Sequence, residues 1–140
     1  VITSPPYLNK IEYTTVYKME LGMFFSYPKT QLRAFIADEP KSVTGLDELP
    51  LIAQAYFEDL EKVLKNIHNA LIPNGIACIN LSGGCFPEKL VEADEILEKI
   101  AEKVGFTVKE RIVARQIQCH KDRSFKTGKV RESIVILEKK

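Results

Sequence analysis

Val1-Ile2-Thr3-Ser4-Pro5-Pro6-Tyr7 opens the chain, and its reading decides the fold. Val1-Ile2-Thr3 reads as the tail of a β-strand. The four residues behind it read as a rigid polar turn into which that strand opens. Each proline fixes φ at about −65° and removes a backbone N–H donor. The residue before each proline is pushed out of the helical region. The turn therefore holds the Ser4 hydroxyl, two donor-free carbonyls and the Tyr7 ring in one place. Such oxygens accept N–H bonds, and an aromatic ring stacks on a flat face. The set suits an exocyclic amino group on a planar base.

Outward from this strand, Ile11 to Phe25 carries Val16, Met19 and Met23 at mixed helical spacing and predicts a helix. Ser26 to Gly45, with Pro28 and Pro40, predicts a loop or a short irregular helix. Between Pro50 and Leu71, the residues Ile52, Tyr56, Leu60, Val63, Leu64, Ile67 and Leu71 form the stripe of an amphipathic helix. Pro73-Asn74-Gly75 ends it as a turn. Ile76-Ala77-Cys78-Ile79-Asn80-Leu81 is nearly continuous in apolar residues, as in a buried parallel strand. Val1-Ile2-Thr3 is expected beside it, as the last part of an interior strand of a larger sheet. A helix follows from Glu88 to Val104 and stops at Gly105. Phe106 to Gln118 reads as a long strand and Val130 to Leu137 as the last one, with a hairpin loop around Gly128. Alternating β and α elements argue for a layered α/β sheet, as a single domain over residues 1–140.

With 45% hydrophobic and 28% charged residues in 140, the composition is that of ordinary globular chains, long enough to build a core. No apolar run approaches the roughly 20 residues that span a bilayer, which argues against a membrane role. Cys78, Cys85 and Cys119 are odd in number and have no paired spacing. They fit a reducing, cytoplasmic setting, with Cys78 as a core thiol and Cys85 as a loop thiol. His68 and His120 are isolated, and Cys119 beside His120 lacks a second ligand pair, so no metal site is expected.

The net charge of +1 hides a segregation. From Lys109 to Arg131 eight basic residues face only Glu110 and Asp122, whereas Glu88 to Lys103 carries six acids against three bases. Lys121, Arg123 and Lys126 are the candidate phosphate contacts in that basic run. The same run also reads as a solvated hairpin.

Thr3-Ser4-Pro5-Pro6-Tyr7 resembles the catalytic motif of S-adenosylmethionine-dependent amino-methyltransferases, which methylate exocyclic nitrogens of nucleic acid bases. This spelling is most typical of the N4-cytosine group, and adenine enzymes more often carry Asp or Asn in place of the serine. The resemblance continues through Leu8-Asn9, Leu71-Ile72-Pro73-Asn74-Gly75 and Arg131-Glu132-Ser133-Ile134-Val135. It is weakest between Gly22 and Pro50. It implies a partial Rossmann-like class I methyltransferase fold, a mostly parallel sheet with a C-terminal antiparallel hairpin. S-adenosylmethionine is the implied cofactor and DNA the favoured partner. Cytosine N4 is the favoured target, with adenine N6 or an RNA base as options.

The resemblance also implies roles. Ser4, Pro5, Pro6 and Tyr7 are the catalytic residues. The Ser4 hydroxyl and the Pro5 carbonyl orient the amino group, and Tyr7 stacks on an extruded base. Thr3 and Ser4 face the cofactor. Asn9 and Tyr13, with Glu12 between them, either line the substrate pocket or form a solvated helix start. Arg131-Glu132-Ser133 reads as a structural polar cluster.

Such enzymes hold the cofactor with a glycine-rich loop of the type Phe-x-Gly-x-Gly, and this sequence has none. Ser82-Gly83-Gly84 is a poor substitute, since it lacks the second spaced glycine and follows the wrong strand. The chain therefore resembles the catalytic, C-terminal half of an enzyme. A preceding segment or a second chain is expected to supply the cofactor loop, and an exposed sheet edge leaves homodimerisation open. The alternative is a truncated, non-catalytic α/β module that binds nucleic acid or a partner chain.

Overall fold

Ile2–Thr3 forms strand β1 and pairs in parallel with β2, Ile76–Ser82, as the sequence leads one to expect. Ile2 lies opposite Cys78, and Thr3 opposite Ile79. The computed structural model describes residues 1–8, 17–24, 46, 48–86, 89–119 and 128–140. Within them lie the helices α1 (Lys18–Phe24), α2 (Leu51–Ala70) and α3 (Ala93–Val104). The further strands are β3 (Gly84–Cys85), β4 (Leu90–Val91), β5 (Phe106–Gln118) and β6 (Lys129–Lys139).

The main sheet runs in the order β1, β2, β6, β5. β6 is antiparallel to both of its neighbours. The expected mostly parallel sheet is therefore corrected: one ladder is parallel and two are antiparallel. The cause is where the hairpin returns. β6 does not stay at the outer edge but inserts between β2 and β5 and runs against both. β1, β2 and β5 consequently point the same way, with β6 alone reversed.

The third helix begins later than its apolar pattern predicts. Leu90 and Val91 pair with Cys85 and Gly84 in a small antiparallel ribbon, and Glu92 is still extended at φ −84° and ψ 101°. Asp94 and Glu95 then fill the first helical turn, where negative charge is favourable. Gly105 closes α3 at φ 112°, a conformation that costs glycine little, and its N–H returns to the Ala101 and Glu102 carbonyls. The expected helix over 11–25 is described only from Lys18, and residues 26–45 lie outside the described residues.

α2 and α3 cover one face of the sheet. Ala77, Ile79 and Leu81 of β2 and Val135 and Leu137 of β6 meet Phe57, Leu60, Leu64, Leu97 and Ala101 there. Burying a side chain such as Phe57 or Leu97 contributes about 1.5–3 kcal/mol. The expected α2 stripe is present at Tyr56, Leu60 and Leu64, but Ala53 through Phe57 are all buried. The start of that helix is enclosed on more than one side, which a single stripe cannot signal. At its other end Lys139 donates to the His68 and Leu71 carbonyls at 2.7 and 2.8 Å and caps the helix.

The cysteines correct the sequence reading. Cys85 of β3 and Cys119, just past β5, form a disulfide with their Cα atoms 6.0 Å apart, so Cys85 is not a free loop thiol. Spacing could not show this pairing, because the ribbon of β3 and β4 that carries Cys85 toward β5 is too short to leave an alternation of its own. Cys78 is free and half-buried. No helix among the described residues is long and apolar enough to cross a membrane.

Candidate functional site

The Ser4-Pro5-Pro6-Tyr7 turn starts where β1 ends, at the carboxyl end of the parallel pair. Ligands of open α/β sheets bind outside that end of the strands. Leu8, fully buried, anchors the turn in the core, while Ser4 and Pro6 are exposed and Pro5 and Tyr7 half-buried. The turn thus has a fixed base and an open rim.

Two strands and the turn itself converge on the Tyr7 hydroxyl. It donates to Glu132 Oε1 of β6 at 2.7 Å. Asn80 of β2 donates to it through Nδ2 at 2.7 Å, and the Ser4 hydroxyl donates at 3.3 Å. Arg115 of β5 donates from Nε to the second Glu132 oxygen. Strand alternation explains the gathering. Glu132 stands opposite Ser82 in one ladder and Arg115 in the other, and Asn80 precedes Ser82 by two residues. Asn80 and Glu132 therefore share the sheet face turned away from α2 and α3.

Burial pushes the Glu132 carboxyl up, but hydrogen bonds from Tyr7 and Arg115 and the Arg115 charge outweigh it and hold it below its ordinary value. Tyr7 moves the other way. Burial raises its hydroxyl, the Ser4 bond offsets part of the rise, and Glu132 adds to it. Near neutral pH the pair is thus a carboxylate and a neutral phenol.

Among the described residues two buried side-chain polar atoms lack a partner, Tyr56 Oη and Asn80 Oδ1. Each such atom costs about 1–3 kcal/mol. Both border the motif. Asn80 bonds Tyr7 directly, and the Tyr56 hydroxyl is raised chiefly by burial and, at alkaline pH, by an ionised Tyr7. Unsatisfied polarity is gathered at this one place.

On the opposite sheet face Arg131 makes a bidentate pair with Asp94, from Nε and Nη2 to its two oxygens at 3.0 Å each. Ser133 donates to Asp94 at 2.8 Å, and Arg131 also reaches Glu95 at 2.7 Å. Arg111 pairs with Asp94, Glu95 and Glu98. The acids of α3 thus meet the bases of β5 and β6. With Lys109 on Glu138 and Arg115 on Glu132, four of the eight basic residues from Lys109 to Arg131 have carboxylate partners within the chain. Much of the charge segregation is therefore structural.

Of the expected site residues, Thr3, Ser4, Pro5, Pro6 and Tyr7 stand together at the carboxyl end of β1. Asn9, Tyr13, Lys121, Arg123 and Lys126 lie outside the described residues. Asn80, Arg115 and Tyr56 join the motif without having been singled out for it. Asn80 had a signal, as the one amide inside an apolar strand. Glu132, expected in a structural cluster, bonds the motif itself, whereas its neighbours Arg131 and Ser133 bond α3.

Ser82-Gly83-Gly84 does not fit a cofactor cradle. A Cβ on Gly83 would stand 2.6 Å from the Val91 carbonyl oxygen, and one on Gly84 would stand 2.8 Å from Leu8 Cγ. Both glycines are buried against the chain's own atoms and serve close packing.

No family model and no curated protein matches the chain. A candidate DNA modification methylase from Thermus thermophilus, solved as its selenomethionine derivative, is similar in structure at a TM-score of 0.47 and 16% sequence identity. The overlap covers 69% of this chain and 40% of that one. The chain therefore spans less than half the length of that solved structure.

Proposed function

We propose that this chain supplies the catalytic part of an S-adenosylmethionine-dependent methyltransferase acting on exocyclic amino groups of nucleic acid bases, with DNA cytosine N4 as the favoured target. One observation carries the reading. A Ser-Pro-Pro-Tyr turn leaves the carboxyl end of a parallel strand with its tyrosine tied to two further strands. In this reading the Ser4 hydroxyl and the Pro5 carbonyl accept the two amino hydrogens, which fixes the direction of the nitrogen lone pair. Tyr7, held by its hydroxyl, offers its ring to the base. Positioning of this kind supplies much of the rate of a transfer reaction. The cofactor supplies the methyl group when bound. Its glycine-rich cradle comes from polypeptide outside residues 1–140, in the same chain or a partner, since Gly83 and Gly84 are filled by the chain itself.

The test is single-turnover transfer of labelled methyl groups by the whole protein that carries this chain. Cytosine-containing and adenine-containing duplexes are compared. Ser4→Ala is expected to lower the rate without loss of fold stability, and Tyr7→Ala to lower rate and base affinity together. If both variants transfer methyl groups at the parent rate, the motif is not the active site.

A further inference from the structure

The Tyr7 hydroxyl has no hydrogen-bonding capacity left, and charge dictates the direction of its bonds. A phenol donates one hydrogen and has two lone pairs to accept others. Its partners are the Glu132 carboxylate at 2.7 Å, the Asn80 amide nitrogen at 2.7 Å and the Ser4 hydroxyl at 3.3 Å. An ionised carboxylate only accepts, and an amide nitrogen only donates. The Tyr7 hydrogen goes to Glu132, because a charge-assisted bond is about twice as strong as a neutral one. Asn80 takes one lone pair of the phenol oxygen, and Ser4 can only donate to the other. The Ser4 hydrogen is thereby turned inward, and its lone pairs remain for a ligand.

We infer that Glu132 is the positioning residue of this site: through Tyr7 its carboxylate sets Ser4 as a hydrogen-bond acceptor, so that the site takes an amino group and refuses a carbonyl oxygen. The inference rests on the amino-methyltransferase reading and adds to it the origin of base-class selectivity. Cytosine and adenine present an amino group at the position in question. Uracil and hypoxanthine present a carbonyl oxygen, which would face the Ser4 lone pairs with no hydrogen between them.

Three features make Glu132 suited to this role. It is 8% exposed, whereas Ser4 at the rim is open to a ligand. Its second oxygen is held by Arg115 Nε, so the carboxylate cannot turn away from Tyr7. Asn80 closes the remaining side from β2. Arg115 and Tyr7 both bond the charged form of Glu132, so it stays ionised at neutral pH. Water alone would leave a serine hydroxyl free to rotate, and such a hydroxyl would donate to a carbonyl as readily as it accepts from an amine.

Two readouts on the whole protein test this. The first is the affinity ratio for single-stranded oligo-dC over oligo-dU, by fluorescence anisotropy. The parent is expected to favour oligo-dC about tenfold, the scale of one hydrogen bond. Glu132→Gln should bring the ratio close to one, since its amide can donate to Tyr7 as well as accept. Tyr7→Phe should do the same, because it removes the oxygen that turns the Ser4 hydrogen inward. The second readout needs no ligand. In alkaline ultraviolet titration the Tyr7 transition, identified by its loss in Tyr7→Phe, should fall to lower pH in Glu132→Gln. Should Glu132→Gln fail to fold, Tyr7→Phe decides alone. A dC preference that survives in both variants, or in Tyr7→Phe alone where that is the only folded variant, overturns the inference, as does a parent that binds both oligonucleotides equally. Either result leaves the methyl-transfer test of the motif standing on its own.

Discussion

At the scale of single residues, the motif separates what holds a turn from what meets a ligand. Leu8 is the fully buried anchor, and Pro5-Pro6 stiffens the approach to it. Tyr7 is bound by its hydroxyl to Glu132 and Asn80, so its ring is held by polar bonds as well as by packing. This division gives the motif variants different signatures. Tyr7→Ala is expected to remove stacking worth about 1–3 kcal/mol from binding of a base. Pro5→Ala loosens the backbone that places the acceptor carbonyl, and a small misplacement at a positioning site costs on the order of a hundredfold in rate. Measuring kcat and KM separately checks both, since the first change should raise KM as well as lower kcat, and the second should lower kcat alone. A motif that only terminated a strand would show a stability loss from Pro5→Ala and no kinetic split.

At the scale of elements, β6 organises the molecule from both of its faces. Arg131 and Ser133 hold α3 through Asp94, and Glu132 between them holds the motif through Tyr7. Asp94 is 2% exposed, and removing one partner of a buried pair costs about 3–5 kcal/mol. Asp94→Ala should fall near the lower end of that range, because the Arg131 it abandons keeps a quarter of its side chain in water. Burial raises the Asp94 carboxyl, but bonds from Arg131 and Ser133 outweigh it and leave it below its ordinary value of 3.8. Glu132 is likewise held below its ordinary 4.5. A depressed carboxyl stabilises the fold fully above its unfolded value, and that contribution is lost as pH falls through the lower folded value. Urea midpoints should therefore be flat with respect to these two groups near neutral pH and fall below about pH 4.5. In Asp94→Asn the acid limb should be shallower. Equal acid limbs for parent and variant would show that Asp94 has no linkage to folding. The elements themselves were largely legible. Ile76–Ser82, Phe106–Gln118 and the α2 helix announce themselves by runs, alternation and a stripe. The place of β6 between β2 and β5 was not, because it depends on which edge the returning strand finds. The roles of Asn80 and Glu132 were hidden for the same reason: a polar residue in a strand reveals its partner only once the neighbouring strand is known.

At the scale of the whole molecule, the two faces of the sheet are unequal. One is covered by α2 and α3. The other carries Ile2, 88% exposed, Ile76 and Ile112, 40% and 41% exposed, and the half-buried Cys78, Ile134 and Ile136. α1 buries none of its residues fully. In the proposed function the cofactor's glycine cradle lies outside residues 1–140. Their affinity for S-adenosylmethionine should be weak. Calorimetry checks it, and a low-micromolar constant, about −8 kcal/mol, would place the cofactor site within these residues. The exposed face gives the complementary expectation. β1 is an edge strand among the described residues, paired to β2 alone, and it offers free backbone groups beside an apolar surface. Such edges invite pairing, and large apolar patches associate in water. Residues 1–140 in isolation should therefore self-associate as concentration rises. Ile2→Lys should suppress this, because a charge on an edge strand opposes both pairing and apolar contact. It should do so without loss of stability, since Ile2 is already exposed to water on the folded chain. Static light scattering over a concentration series reads the outcome. A constant monomer mass for the unsubstituted chain would show that this face is tolerated in water without a covering partner.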